Sequence, residues 1–272
     1  FKILQIIDFA DLPVFEDALT YVSIFTLKNS KPENFKYFKV KSIEKAKDFD
    51  FGKQINIDLK KLSDDNWSLK DIKITEVINK IKLFPSLKNI GNCNYGIISG
   101  NDSIYIMDDN DINTHQIENS ILLPLLRAEN CGRYKKVEAS KYILFPYKYE
   151  ENETVLYSEN ELKNNFPKAY KYLLYNKNIL EKRKDSRKTL KGAIDWFKLI
   201  RFGTIDMFNK IKIVYPGETK NNKFGIDYKK SGYSGARVFS ITLDSTTNYE
   251  KNILALLGIL NSKVVEFYLH HN

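Results

Sequence analysis

The chain has 272 residues, 43% hydrophobic and 28% charged, with 43 Lys/Arg against 34 Asp/Glu and a formal net charge of +9. That is the balance of an ordinary folded protein, long enough for one large domain or two small ones, and it excludes a disordered or fibrous chain. No run of about eighteen apolar residues and no basic-then-apolar leader occurs, so no membrane partner is expected and a cytoplasmic location is.

Residues 2–9 (KILQIIDF) and 18–27 (ALTYVSIFTL) read as two strands of near-continuous Ile, Val, Leu and Phe, the composition of strands covered on both faces. Two strands cannot stand alone, so they are expected to be orphans of a larger sheet. The start at Phe1, without an initiator Met, points to a piece of something longer. Residues 28–80 turn polar and Lys-rich and read as a linker region with short elements and a helical stretch near 74–83. A new folded unit begins around Pro85. From there short strands are expected at 95–98, 104–107, 142–146 and 154–157, separated by Gly/Asn/Asp turns. Between them LLPLLRAENCGRY (122–134) reads as an apolar, helix-like segment running into a turn.

Residues 158–190 are expected to be helical, with Pro167 in the first turn and an apolar stripe of Phe166, Tyr170, Leu173, Leu174, Ile179 and Leu180. Strands return at 210–216, 223–227 and 236–242. The last helical segment opens at Thr247-Asn-Tyr-Glu250, a capping-box pattern, and is interrupted at Asn261-Ser262. The predicted class is α+β: mixed short-stranded sheets with several helices, preceded by the two orphan strands.

Charge is concentrated rather than spread. Between residues 163 and 237 stand 19 Lys/Arg against 6 Asp/Glu, a local +13 that leaves the remainder at −4. A basic block makes a directional field that holds a polyanion, and this one is interleaved with aromatic residues. The same composition also fits a solvated, Lys-rich surface. The turn closing 122–134 presents Arg127, Arg133, Tyr134 and Lys135, and an arginine there can fork onto guanine or clamp a phosphate. EKRKDSRKTLKGAIDWFKLIR (181–201) gathers Lys182, Arg183, Lys184, Arg187, Lys188 and Lys191 ahead of Trp196 and Arg201. As a helix it would form a basic ridge, with Trp196 either stacking or packing.

Catalytic signals are weak. No Gly-rich turn follows a strand, and no Gly-x-Ser-x-Gly elbow or Cys/His pair suggests a nucleophile. Cys93 and Cys131 lack ligand spacing and are expected to be reduced, buried and inert. His115, His270 and His271 are too few and scattered for a metal site, so no catalytic residue and no metal are assigned. Glu161-Leu162-Lys163 has the form of an acidic–x–Lys nuclease end without an upstream Asp strand. A small metal-dependent nuclease, and a basic RNA- or protein-binding module, are the alternatives.

Seven segments in order carry a resemblance: 6–27 (IIDFADLPVFEDALTYVSIFTL), 95–108 (YGIISGNDSIYIMD), 122–134, 142–146 (YILFP), 166–183, 195–216 and 256–269 (LLGILNSKVVEFYL). Together they resemble the TaqI-like C-terminal specificity, or target-recognition, domain of adenine-specific DNA methyltransferases. That group includes the methyltransferase–endonucleases of type IIG restriction–modification systems. Coverage is weakest over 28–85 and 217–250. The resemblance implies that 1–28 are the last strands of a methyltransferase catalytic domain, 29–84 a linker region and 85–272 a DNA specificity domain. The family's Asn/Asp-Pro-Pro-Tyr/Phe motif and its cofactor-binding Gly-rich motif are absent from these residues. The fragment is therefore expected to hold no cofactor and to transfer no methyl group, S-adenosylmethionine being expected for the parent enzyme. Double-stranded DNA and the missing catalytic domain are the implied partners. Arg127, Arg133 and Tyr134 are then expected at base edges, and Lys135, Lys182, Arg183, Lys184, Arg187, Lys188 and Arg201 on phosphates.

Overall fold

A computed structural model describes the chain except residues 1, 17–19, 30–32, 63–66, 68, 70–71, 204, 236, 245–246 and 272. The described residues divide into an N-terminal unit ending at Phe84 and a larger one starting at Pro85.

In the N-terminal unit, β1 (Lys2–Asp8), β2 (Ser23–Lys28), β3 (Asn34–Lys39) and β4 (Gln54–Asp58) form one sheet in the order β2-β1-β3-β4. β1 runs antiparallel to β2 and parallel to β3, and β3 is antiparallel to β4. Ile6 joins Phe35, Tyr37 and Ile57 in one apolar cluster, while Ile7 joins Phe9 and Val40 in another. This accounts for the unbroken apolar run of β1, which is covered on both faces. Two expectations change. The first two strands are not orphans, because β3 and β4 come from the segment read as a linker and extend their sheet. β2 is exposed along its whole length, so its apolar residues are not buried on both faces within this unit. Helices α1 (Ile43–Lys47) and α2 (Ile72–Lys82) complete the unit.

The second unit begins with β5 (Gly91–Tyr95), α3 (Asp102–Tyr105), β6 (Ile106–Met107), α4 (Asp109–His115), β7 (Leu122–Leu126) and β8 (Lys141–Leu144). It continues through β9 (Tyr147–Glu150), β10 (Glu153–Leu156), α5 (Glu159–Asn165), α6 (Pro167–Tyr175) and α7 (Lys177–Leu180). Then follow β11 (Lys184–Asp185), β12 (Lys188–Thr189), α8 (Ile205–Phe208), β13 (Lys212–Pro216), β14 (Gly225–Asp227), β15 (Gly232–Tyr233) and β16 (Val238–Leu243). Helices α9 (Tyr249–Leu260) and α10 (Lys263–His271) end it, bent by 59°.

Two four-stranded sheets, β14-β13-β16-β5 and β15-β7-β8-β6, organise this unit, with the hairpins β9–β10 and β11–β12 beside them. Successive residues of a strand face opposite sides, and β13 uses both. Val214 enters the main core with Tyr105, Leu125, Trp196 and Tyr233, while Ile213 packs with Ile241 and with Ile253 and Leu257 of α9. Burying each such aliphatic side chain contributes about 1.5–3 kcal/mol. The mixed sheets and helices make the fold α+β.

Local signals explain some boundaries and mislead at others. Ser158 caps α5 through the Glu161 amide while Glu161 returns a bond to the Ser158 amide, and Pro167 opens α6 as its first residue. The segment expected to be helical at 122–134 is the strand β7, whose Leu125 and Leu126 are fully buried, followed by a 3-10 turn at Ala128–Asn130. A strand is expected over 104–107, yet Asp102–Tyr105 is a single helical turn and only Ile106–Met107 is strand, as β6. The segment expected to be helical over 158–190 is instead three short helices, α5, α6 and α7, and ends at Leu180. The expected capping box at Thr247–Glu250 is not formed; α9 starts behind Asn248, whose backbone is left-handed.

Candidate nucleic-acid interface

The basic run at 181–191 is a β-hairpin, not a helical ridge. Lys184 pairs with Thr189 and Asp185 with Lys188, leaving Ser186 and Arg187 as a two-residue loop. Ser186 takes φ 59°, the positive value that hairpin loops of this length require. The base is closed by the Leu190 amide donating to the Arg183 carbonyl at 3.0 Å, and Leu190 is buried. Lys198 holds the side of the hairpin, reaching Asp185 at 3.3 Å and Asp195 at 2.9 Å. With Asp185 so engaged, Lys182, Lys184, Arg187 and Lys188 stand exposed with no ion-pair partner among the described residues.

Arg183 does the opposite of its neighbours. It is 6% exposed and spends its guanidinium on carbonyls: Nε on Leu180 at 3.0 Å, Nη1 on Ser99 at 2.6 Å and Nη2 on Trp196 at 2.7 Å. Its guanidinium carbon also lies 5.1 Å from the centre of the Tyr105 ring. Arg183 is thus an anchor beneath the hairpin and not a phosphate ligand. Trp196 takes the packing alternative. At 1% exposure it is a core residue, edge-on to Phe197 and capped by Lys177 Nζ at 4.9 Å, so it packs and does not stack on a base.

Through the Ser99 bond the hairpin is tied to the loop after β5. Gly100 there has φ 76° and lies against Ile200 and the Arg183 stem, where a side chain would collide. Ile98 and Arg201 exchange both backbone hydrogen bonds, at 2.7 and 3.0 Å. One residue back, Ile97 donates to the Tyr233 carbonyl at 2.8 Å, and Ser234 donates to the Leu126 carbonyl at 2.9 Å, next to Arg127. Three strand ends therefore converge, carrying Arg127, Arg201 and the hairpin. Arg201 is exposed, while Arg127 is partly buried and loosely paired with Glu129 at 3.2 Å. Tyr95 and Arg237, exposed on the same strand ends, belong to this set and were missed in the sequence. Arg237 closes the basic block and Tyr95 lies far from it in the chain; the β5–β16 pairing, with Tyr95 opposite Phe239, and the bridge of residue 97 with 234 bring them together.

Arg133 and Tyr134 turn elsewhere. Arg133 Nη2 donates to the Asn261 carbonyl, and its Nη1 is 4.0 Å from Glu266 of α10. Tyr134 holds a left-handed backbone, φ 57°, with its amide on the Phe224 carbonyl at 3.0 Å and its hydroxyl on the Asn261 carbonyl at 3.3 Å. Both side chains are bonded to the break between α9 and α10, although each remains exposed. Lys135 beside them is exposed.

The nuclease-like triplet has a structural use. Glu161 accepts Lys148 Nζ at 2.8 Å and the Ser158 amide at 2.8 Å, and these partners, Lys148 first, pull its pKa down to about 2. Among the described residues no group of three or more His, Cys, Asp or Glu could hold a metal. Of the two cysteines, Cys131 is buried as expected, which pushes its pKa up to about 12, whereas Cys93 on β5 is exposed and departs from the expectation.

By sequence the chain is similar to two type II restriction–modification proteins. Over 291 residues it is 23% identical to the restriction enzyme and methyltransferase RM.Eco57I of Escherichia coli, covering 97% of this chain and 29% of that protein. Over 195 residues it is 28% identical to the methyltransferase M.MjaIV of Methanocaldococcus jannaschii, covering 70% of this chain and 61% of that one. The chain thus spans less than two thirds of either relative. No family model matches. Its fold is similar to that of MmeI, a type IIL restriction–modification enzyme solved in complex with DNA, with a TM-score of 0.56 at 12% identity over 96% of this chain and 31% of that one.

Proposed function

We propose that residues 85–272 are the duplex-DNA target-recognition module of an adenine-specific methyltransferase from a restriction–modification system, of the TaqI-like specificity class, in a parent of type IIG form. The module itself is non-catalytic; the parent would use S-adenosylmethionine on a catalytic domain to which residues 1–28 contribute. The observation that carries the reading is the β11–β12 hairpin, whose four exposed cations have no ion-pair partner among the described residues and which a buried arginine ties to strand ends that bear Arg127 and Arg201. Support also comes from the two related methyltransferases and from the DNA bound to the enzyme of similar fold.

The chemistry divides the work. An enzyme that acts on a base in a duplex must turn that base out, so a second surface has to hold the flanking helix and choose the site. Lys182, Lys184, Arg187 and Lys188 neutralise phosphates and set position, which carries no sequence information. Arg127 and Arg201, at fixed strand ends, have the planar fork that reads guanine edges. Binding of the chain to a random-sequence duplex pool tests this. Arg201→Ala is expected to relax the selected sequence, and Lys188→Ala to weaken all duplexes alike. Preference for single-stranded RNA over duplex would favour the RNA-binding alternative instead.

A further inference from the structure

Residues 134–137 run alongside the edge strand β14 through an isolated parallel bridge, Lys136 against Ile226. The Tyr134 amide donates to the Phe224 carbonyl at 3.0 Å, the Ile226 amide to Lys135 at 2.8 Å and the Val137 amide to Ile226 at 2.9 Å. In this parallel register the amide and carbonyl of Lys136 point away from the sheet, toward its open edge. The adjoining turn is fixed from within. Asp227 and Lys212 form a fully buried ion pair of 2.8 Å, and the same carboxylate accepts the Lys229 amide at 2.9 Å and the Ser231 amide at 2.8 Å. Burial draws the Lys212 pKa down while the Asp227 charge opposes the shift. The turn so held projects Lys230 with φ 59°.

Around this edge the cations sort by partner. Arg133 is engaged by Asn261 and Glu266, and Lys229 by Glu138 at 2.9 Å. Lys135, Lys136, Lys223 and Lys230 are exposed and lack an ion-pair partner among the described residues. Lys136 Nζ lies 5.6 Å from the centre of the Tyr228 ring, which gives its stem a rest. The free groups here are all lysines, compact charges that meet a phosphate without the fork needed to read a base.

We propose that this lysine-edged segment is a second contact surface for the DNA backbone, distinct from the hairpin and indifferent to sequence. The inference rests on the DNA-recognition reading above. Its test is the affinity of the whole chain for duplex DNA across a salt series, comparing wild type with Lys136→Gln, Lys223→Gln and Lys230→Gln combined. All three side chains are exposed, and circular dichroism confirms that the variant is folded. Each lost phosphate contact lowers the slope of log K against log salt by about 0.9. The expected result is a slope smaller by about 2–3, with cognate and unrelated duplexes weakened equally. An unchanged slope in a variant whose wild type binds overturns this inference alone. Absence of salt-sensitive binding by the wild type overturns the DNA reading and this surface with it.

Discussion

Replacing Arg183 by methionine removes the guanidinium and keeps most of the stem, so it isolates the anchor under the basic hairpin. Three N–H groups now meet the carbonyls of Leu180, Ser99 and Trp196 at 3.0, 2.6 and 2.7 Å. A hydrogen bond to a charged group contributes about 1.5–3 kcal/mol, and the three together exceed the net effect because the charge no longer has to be buried. A net loss of about 3–5 kcal/mol is expected, the range for breaking a buried charged network. With a urea dependence of about 2–3 kcal/mol per molar, the unfolding midpoint should fall by about 1–2 M. Fluorescence of Trp196, which packs beside the anchor, reports the transition. Arg187→Met is the control: that side chain is exposed at the hairpin tip, and its loss should change stability by less than about 0.5 kcal/mol while weakening duplex binding. Equal midpoints for the two variants would refute the anchor.

Other outcomes follow from the same contacts. Lys212→Met leaves the Asp227 carboxylate buried without its partner and should cost about 3–5 kcal/mol, part of it recovered when Asp227→Asn is added, as a double-mutant cycle in urea would show. Glu161 has its pKa lowered to about 2, chiefly by Lys148, against about 4.3 for an unfolded glutamate. Its stabilising effect is therefore full above the unfolded value and fades as pH falls toward 2. The difference in melting temperature between wild type and Glu161→Gln should vanish at the acid end. A thiol reagent at pH 8 should titrate Cys93 in the folded chain and reach Cys131, pushed up to about 12, only after unfolding.

What could be read from sequence depended on whether the signal was local. Pro167 at the start of α6, the Ser158–Glu161 cap and the break at Asn261-Ser262 are short-range patterns, and the structure forms each of them. The hairpin was hidden because KRKDSRK has no apolar period of either kind and its loop uses Ser186 at positive φ, where glycine or asparagine would have announced a turn. Arg183 looks like its neighbours in the chain; its burial is decided by Ser99, 84 residues away. Arg133 and Tyr134 were legible as a turn, but their partner Asn261 lies more than 120 residues on. Apolar LLPLL suits a strand or a helix equally, and its pairing with β8 settled the choice.

Whether the hairpin grips a double helix is settled most directly by duplex binding of Lys184→Gln, Arg187→Gln and Lys188→Gln combined, measured by fluorescence anisotropy between low and moderate salt. The account predicts that the wild type binds with steep salt dependence and that the variant, folded as before, loses about 2–3 from the slope. Binding that is insensitive to salt, or a variant indistinguishable from wild type, would contradict it.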